Sequence, residues 1–126
     1  MATYDQLPVY KAGFDFLLGV YDMCKNMERD YKFSIGEDLK KDVKRLLKNV
    51  YHANRVTDKL NFILAARENV EDIRLDLRVL RELGKIQPNT FVDMNVKLED
   101  ISKQLAAWYK KQNTSPAAAD EEPKNV

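Results

Sequence analysis

The sequence contains few residues that build turns and few that form disulfides or bind metals. Its 126 residues include four glycines, four prolines, one cysteine and one histidine. An all-β fold needs many turns, and turns depend on glycine and proline, so this composition argues against sandwiches and barrels. The single cysteine, Cys24, excludes an internal disulfide, and the length suits one domain.

Long apolar runs and targeting signals are also missing. The uninterrupted apolar stretches are only a few residues long, whereas roughly 20 apolar residues are needed to span a bilayer. The first residues contain no basic region followed by an apolar stretch, so no signal peptide is predicted. We therefore expect a soluble, cytoplasmic protein that has no contact with a membrane.

Motifs for catalysis and for cofactor binding are absent as well. One histidine, His52, and one cysteine are too few for the usual zinc or di-iron site. The glycines are scattered, so there is no phosphate-binding loop, and no Gly-x-Ser-x-Gly motif occurs. We expect His52 on the surface at a helix end and Cys24 in the core. The sequence predicts no cofactor and no enzyme, and catalysis by buried carboxylates is the weakest alternative.

What the sequence does contain is helical periodicity, with apolar residues at steps of three and four. This spacing predicts four helices, at about residues 7–26, 35–53, 57–83 and 89–112. Four amphipathic helices with short connections predict an all-α, antiparallel up-down four-helix bundle over residues 1–112. Residues 28–33 are interpreted as a linker. Residues 113–126 lack periodicity and are predicted to form a disordered acidic tail.

Several residues indicate where these helices begin and end. Ser34 and Glu37 have the spacing of a capping box for the second helix. Thr57, followed by an aspartate, is suited to cap the third helix. Gly84 favours a left-handed turn that ends the third helix, and Pro88 favours a new helix start.

The first predicted helix carries two apolar stripes. The stripe assigned to the core consists of Leu7, Tyr10, Phe14, Leu17, Tyr21 and Cys24, and the second stripe of Val9, Phe16, Val20 and Met23. A helix in a small monomeric bundle should have one apolar face. We therefore predict that the second stripe contacts another copy of the chain. The alternative is that this helix is deeply buried within one copy.

Arginines flank the apolar stripe of the third predicted helix. Arg67, Arg74 and Arg81 are spaced one heptad apart, and Arg78 lies beside them. We predict that they contribute to the same contact between copies. The alternative is that they pair with acidic residues one turn away on their own helix.

Positive charge is concentrated on the second predicted helix, although the whole chain has a net charge of only +1. Residues 40–59 contain seven basic and two acidic residues, a net charge of +5. Positions 41, 44, 45 and 48 lie opposite the apolar stripe, so the helix presents a basic outer face. This face is interpreted either as a solvated surface or as a site for nucleic-acid phosphates. The candidate nucleic-acid-binding residues are Lys40, Lys41, Lys44, Arg45, Lys48, Arg55 and Lys59.

Two segments resemble a known family. The stretch from Leu77 to Ile86, which reads LRVLRELGKI, is followed by a helix that ends LAAWYKK at residues 105–111. Together with the order of four helices, these segments are similar to a bacterial four-helix-bundle family. That family includes the accessory variability determinant (Avd) proteins of diversity-generating retroelements and the proteins encoded by intervening sequences of 23S rRNA genes. The resemblance spans roughly residues 5–112, and the end that contains Trp108 is closer to the Avd branch.

The resemblance implies both an assembly and a function. Avd-like proteins form pentameric rings, bind RNA or DNA through a basic surface and associate with the retroelement reverse transcriptase. They support its mutagenic cDNA synthesis and are not catalysts themselves. The best-known members are strongly basic, whereas this chain is nearly neutral. The alternative is therefore an oligomeric scaffold of the intervening-sequence type that binds only protein partners.

Overall fold

The computed structural model describes residues 6–114, and every regular element in this part of the chain is a helix. Four long helices form a bundle: α1 (Pro8–Cys24), α3 (Ile35–Arg55), α4 (Leu60–Glu82) and α5 (Pro88–Asn113). The segment interpreted as a linker contains a one-turn helix, α2 (Arg29–Lys32). Of the segment predicted to be an acidic tail, Asn113 ends α5, and residues 115–126 lie outside the described residues.

The long helices pack in the closed order α1, α3, α4, α5, so that α1 contacts both α3 and α5. Each long helix runs antiparallel to the next long helix along the chain. The Asn49 Nδ2 group of α3 donates to Asn69 Oδ1 of α4 over 2.7 Å. In this order α3 and α5 occupy opposite corners of the bundle. No helix within residues 6–114 is long and apolar enough to cross a membrane.

The core lies along the axis of the bundle and receives side chains from all four long helices. Each of these side chains contributes about 1.5–3 kcal/mol through its removal from water. Helices α3, α4 and α5 supply most of them. Fully buried members include Val20, Leu39, Val43, Ile63, Ile73, Leu77, Leu98, Ile101 and Leu105. Cys24 is also buried, and desolvation raises the pKa of its thiol.

The two apolar stripes of α1 divide differently from the prediction, although Leu17 and Cys24 of the first stripe are buried in the core as expected. Val9, Phe16 and Val20 are 6%, 1% and 0% exposed, so they belong to the core of a single copy. Their assignment to a contact between copies is wrong, because α1 lies between α3 and α5 and turns this side towards both. Phe14 and Tyr21, which were assigned to the core, are 45% and 43% exposed.

The turn between α4 and α5 forms as predicted. Gly84 has a φ of 69°, the left-handed conformation that glycine adopts without a steric penalty. The backbone N–H of Gly84 donates to the Arg81 carbonyl over 2.9 Å, and that of Lys85 to the Leu80 carbonyl over 2.8 Å. This pair of bonds is a Schellman motif. Pro88 is the first residue of α5.

The predicted side-chain caps of α3 and α4 do not form. Ser34 precedes α3, but its hydroxyl donates backwards to the Asp30 carbonyl over 2.6 Å. The preceding turn, α2, offers this unpaired carbonyl to Ser34, so the capping box with Glu37 is lost. Helix α4 begins at Leu60, and its N-cap position is occupied by Lys59 and not by the predicted Thr57.

Candidate nucleic-acid interface

The side of α3 that faces away from the core carries a row of exposed basic residues. We call Lys41, Lys44, Lys48, His52 and Arg55 the basic stripe, and all five are exposed. Their spacing of three or four residues keeps them on one side of the helix. Fourteen residues at 1.5 Å per residue give the basic stripe a length of roughly 21 Å.

Arg45 lies beside the basic stripe, but its side chain forms an ion pair within the chain. Its Nη1 atom is 3.1 Å from Asp42 Oδ1, although 63% of the Arg45 side chain is exposed. The pairing partly cancels the positive charge of Arg45. The residue therefore contributes less to the field of this surface than an unpaired lysine does.

Lys40 does not lie on the outer face, which corrects its predicted role. Only 8% of the residue is exposed, since its aliphatic stem packs between α1 and α3. Its ammonium group lies 4.5 Å from the centre of the Tyr21 ring and 4.0 Å from Glu37 Oε1. Lys40 therefore joins α3 to α1 and is not free to bind a phosphate.

Lys59 is also removed from the candidate surface by its contacts. Its Nζ atom donates to the Ala53 and Val56 carbonyls over 2.8 and 2.7 Å. These oxygens belong to the unpaired carbonyl groups at the end of α3, which carry partial negative charge. Burial lowers the pKa of the Lys59 ammonium group. Lys59 therefore caps α3, and its predicted contact with nucleic acid is wrong.

Aromatic rings border the basic stripe. Tyr21 of α1 lies below the Lys44 ammonium group, 5.5 Å from the ring centre, and its hydrogen bond with Lys44 raises the pKa of that lysine. At the other end of the stripe, the His52 ring lies 5.5 Å from that of Tyr51 and 5.4 Å from that of Phe62. His52 is exposed near the end of α3, as its surface assignment predicted.

The α4 arginines one heptad apart bind the neighbouring helix of the same chain. Arg67 lies over the Tyr109 ring at 5.5 Å, and Arg81 over the Phe91 ring at 4.8 Å. Since both rings belong to α5, these arginines are engaged within one copy. Both residues are still exposed, so their place in a contact between copies stays a prediction.

Arg74 makes the third of these contacts, through ion pairs. It pairs with Glu71 over 3.1 Å and with Glu99 of α5, and it donates to Ser102 over 3.4 Å. The pairing with Glu71 is the alternative that the sequence left open. Arg78 differs, because its side chain is 74% exposed and lies 3.9 Å from Glu82.

A carboxyl pair between α3 and α4 was not predicted. Asp42 and Asp76 line a cavity of about 260 Å³ together with Asp38, Lys41 and Arg45. Burial, followed by the hydrogen bond and the negative charge of Asp42, raises the pKa of Asp76 to about 8. Asp76 Oδ2 is buried without a hydrogen-bond partner among the described residues, which disfavours the charged form of this carboxyl. Both positions border the apolar stripes, which is the signal in the sequence that could have found them.

The remaining residue of the second α1 stripe, Met23, is half-buried. It lines a cleft of about 600 Å³ between the end of α1 and the start of α5. Lys85 at the edge of this cleft is held by Glu28 Oε1 at 2.6 Å. Within residues 6–114, no three histidine, cysteine or acidic side chains are grouped so that they could hold a metal ion.

The fold and the surface therefore define a small helical bundle with one basic helical face. Comparison with known families gives a more specific answer. Residues 10–112 match the model of the bAvd-like family. The match covers most of the chain, so the chain belongs to the bAvd-like family, and this confirms the resemblance to the Avd branch. No curated protein matches the sequence.

Proposed function

We propose that this chain is a non-catalytic accessory protein of a diversity-generating retroelement. It binds nucleic acid through the basic stripe and associates with the retroelement reverse transcriptase to support mutagenic cDNA synthesis. The observation that carries this proposal is the exposure of the basic stripe in a member of the bAvd-like family. Lys41, Lys44, Lys48 and Arg55 supply the permanent charges of that surface.

Backbone phosphates are the groups that such a surface recognises. Lysine ammonium groups neutralise phosphates as point charges and release condensed counterions, so binding weakens steeply as salt rises. With about four phosphate contacts per copy, the logarithm of the affinity should fall with a slope of about −3 to −4 against the logarithm of the salt concentration. Contacts of this kind position the nucleic acid and carry little sequence information.

A ring-shaped homo-oligomer, proposed to be a pentamer, multiplies this weak surface. Exposed aliphatic side chains on α4 and α5 offer an apolar contact area: Leu75, Val92 and Val96 are 60–64% exposed. Because α5 lies at the corner opposite α3, a contact there leaves the basic stripe free. Val96→Asp should lower the mass measured by light scattering, whereas Lys97→Asp, which is exposed on another side of α5, should not. An unchanged mass for Val96→Asp would exclude this contact.

Charge reversal on the two helices tests the nucleic-acid surface. The variant Lys41→Glu, Lys44→Glu, Lys48→Glu should bind RNA and DNA at least about 100-fold more weakly, because it replaces three attractive contacts by repulsive ones. The matched control is Lys103→Glu, Lys110→Glu, Lys111→Glu. It changes the net charge equally on exposed positions of α5. Fluorescence anisotropy across a salt series measures both variants, and equal losses would show that only net charge matters.

Association with the reverse transcriptase needs a separate measurement. Co-purification of the two proteins, with and without nuclease, distinguishes a direct contact from one bridged by nucleic acid. The expected result is a complex that survives nuclease and that increases the yield of cDNA from the template. Absence of any complex under both conditions would contradict the proposed role.

The near-neutral charge favours a second candidate, an oligomeric scaffold that binds only proteins. Residues 1–112 carry a net charge of +3, since the last fourteen residues hold three acids and one lysine. Such a scaffold would assemble without measurable nucleic-acid binding even at low salt. The salt series described above therefore separates the two candidates.

A further inference from the structure

A row of aromatic side chains lies along the basic stripe; it comes from α1, the end of α3 and the start of α4, and His52 belongs to both the row and the stripe. From α1 the row contains Tyr21, Phe14 and Tyr10, whose ring lies 6.5 Å from that of Phe14. From the end of α3 and the start of α4 it contains Tyr51, His52 and Phe62. Aromatic residues are normally buried in a bundle core, yet Phe14 is 45% exposed and His52 is exposed as well.

The packing of α1 on α3 fixes the relative heights of the two rows. A Cβ atom on Gly13 would lie 2.9 Å from Leu47 Cδ2, so this part of α1 is level with Leu47. Because α1 and α3 are antiparallel, Phe14 lies at about the height of Leu46, between Lys44 and Lys48. His52 follows Lys48 by one helical turn, or about 5–6 Å along α3. The Phe14 ring thus lies near the middle of the stripe and the His52 ring about 9 Å further along α3, with Lys48 between them in height.

Exposed rings interleaved with cations have a specific use in nucleic-acid binding. In a duplex the bases are stacked on one another, so surface rings have no base face to contact. In a single strand each base offers a face that stacks on an aromatic ring, while cations hold the backbone. We propose that the nucleic acid bound here is single-stranded, with phosphates on Lys44 and Lys48 and bases stacked on Phe14 and His52. This inference rests on the proposed function.

The charges around these rings argue against a second copy of the chain as the occupant. Packing another copy on Phe14 would also cover the neighbouring ammonium groups of Lys44 and Lys48. Burial of unpaired charges is costly, and an anionic partner avoids that cost. A polyanion with flat apolar bases matches both features of the surface.

The test compares single-stranded and duplex ligands on variants that remove only the ring faces. Phe14→Leu and His52→Leu keep the helix and its apolar side chains but abolish stacking. Anisotropy titrations of the full chain use an oligonucleotide of about 20 thymidines, its RNA equivalent and a duplex of equal length. Each substitution should weaken single-strand binding by roughly tenfold and duplex binding by less than about twofold. Phe14→Trp and His52→Tyr should restore single-strand affinity, and circular dichroism checks that each variant is folded.

Other outcomes overturn the inference in distinguishable ways. If the ring variants bind both ligands as the unsubstituted chain does, while Lys48→Glu weakens both, the basic stripe binds nucleic acid without stacking. In that case the single-strand inference fails and the proposed function stands. If no ligand binds and Phe14→Leu lowers the mass in light scattering, the surface joins copies of the chain, and both proposals fail.

Discussion

Helices α3 and α4 both carry basic residues at helical spacing, yet the two rows have different surroundings. On α4, Arg67, Arg74 and Arg81 reach the rings and carboxylates of α5. On α3, Lys41 and Lys48 extend into solvent. A guanidinium group stacks on rings and binds carboxylates in a fixed geometry, whereas an ammonium group stays strongly hydrated. Position relative to the neighbouring helix therefore decides whether a basic row joins helices or faces a ligand.

The largest expected effect on stability comes from replacing the three arginines of α4 that contact α5. Arg67→Ala, Arg74→Ala and Arg81→Ala together should destabilise the fold by about 2–3 kcal/mol, from two cation–π contacts and one network of ion pairs. For a chain of this size, this corresponds to a fall in Tm on the order of 10 °C.

The control for this variant removes the same number of charges from exposed positions: Lys41→Ala, Lys48→Ala and Arg78→Ala. Its Tm should change by only about 2–3 °C, because Lys41 and Lys48 are exposed and the pair of Arg78 with Glu82 is open to solvent. Thermal unfolding followed by circular dichroism measures both triple variants. Equal destabilisation would contradict the distinction between the two rows.

A second prediction concerns the carboxyl pair between these two helices. The folded pKa of Asp76, about 8, lies above its ordinary value of 3.8, so the folded state holds a proton that the unfolded state releases. This contribution to stability is fully present below about pH 4 and is lost as the pH rises through about 8. We expect Tm to fall by roughly 5 °C between about pH 5 and pH 9.

Asp76→Asn should flatten this dependence, since the amide stays neutral and can donate to Asp42 at every pH. Asp58→Asn, in the exposed loop between α3 and α4, is the control and should keep the slope of the unsubstituted chain. A slope that survives in Asp76→Asn would assign the pH dependence to other groups.

The smallest expected effect on stability concerns two lysines: Lys59, which binds carbonyl groups of its own chain, and Lys48, which is exposed. Lys59→Met removes the donor to the carbonyl groups that end α3 and should cost about 1 kcal/mol. Lys48→Met should leave stability nearly unchanged but weaken nucleic-acid binding. Chemical denaturation measures the first effect and anisotropy the second. If Lys59→Met weakened binding as strongly as Lys48→Met, our placement of Lys59 outside the interface would be wrong.

The sequence predicted the elements better than it predicted the surfaces. The stripe containing Ile73 and Leu77 repeats at helical spacing, and such a pattern has one sensible location, the core. The buried face of α1 was harder to predict, because Phe14 and Phe16 are equally apolar. Periodicity does not say on which side of α1 the neighbouring helices lie. The exposed face of α3 was predicted at Lys41 and Lys48, whereas Lys40 lies on the edge where α1 covers it.

By itself, then, the sequence determined four amphipathic helices, the left-handed turn at Gly84 and the concentration of charge on α3. These features depend on residue spacing and on local backbone preference, which act within one or two turns of chain. The packing of the helices set the partners of Arg67 and Arg81, the burial of Phe16 and the contact of Asp42 with Asp76. Those outcomes depend on which helices are adjacent and at what height they meet, and contacts between residues on different helices leave no periodic signal.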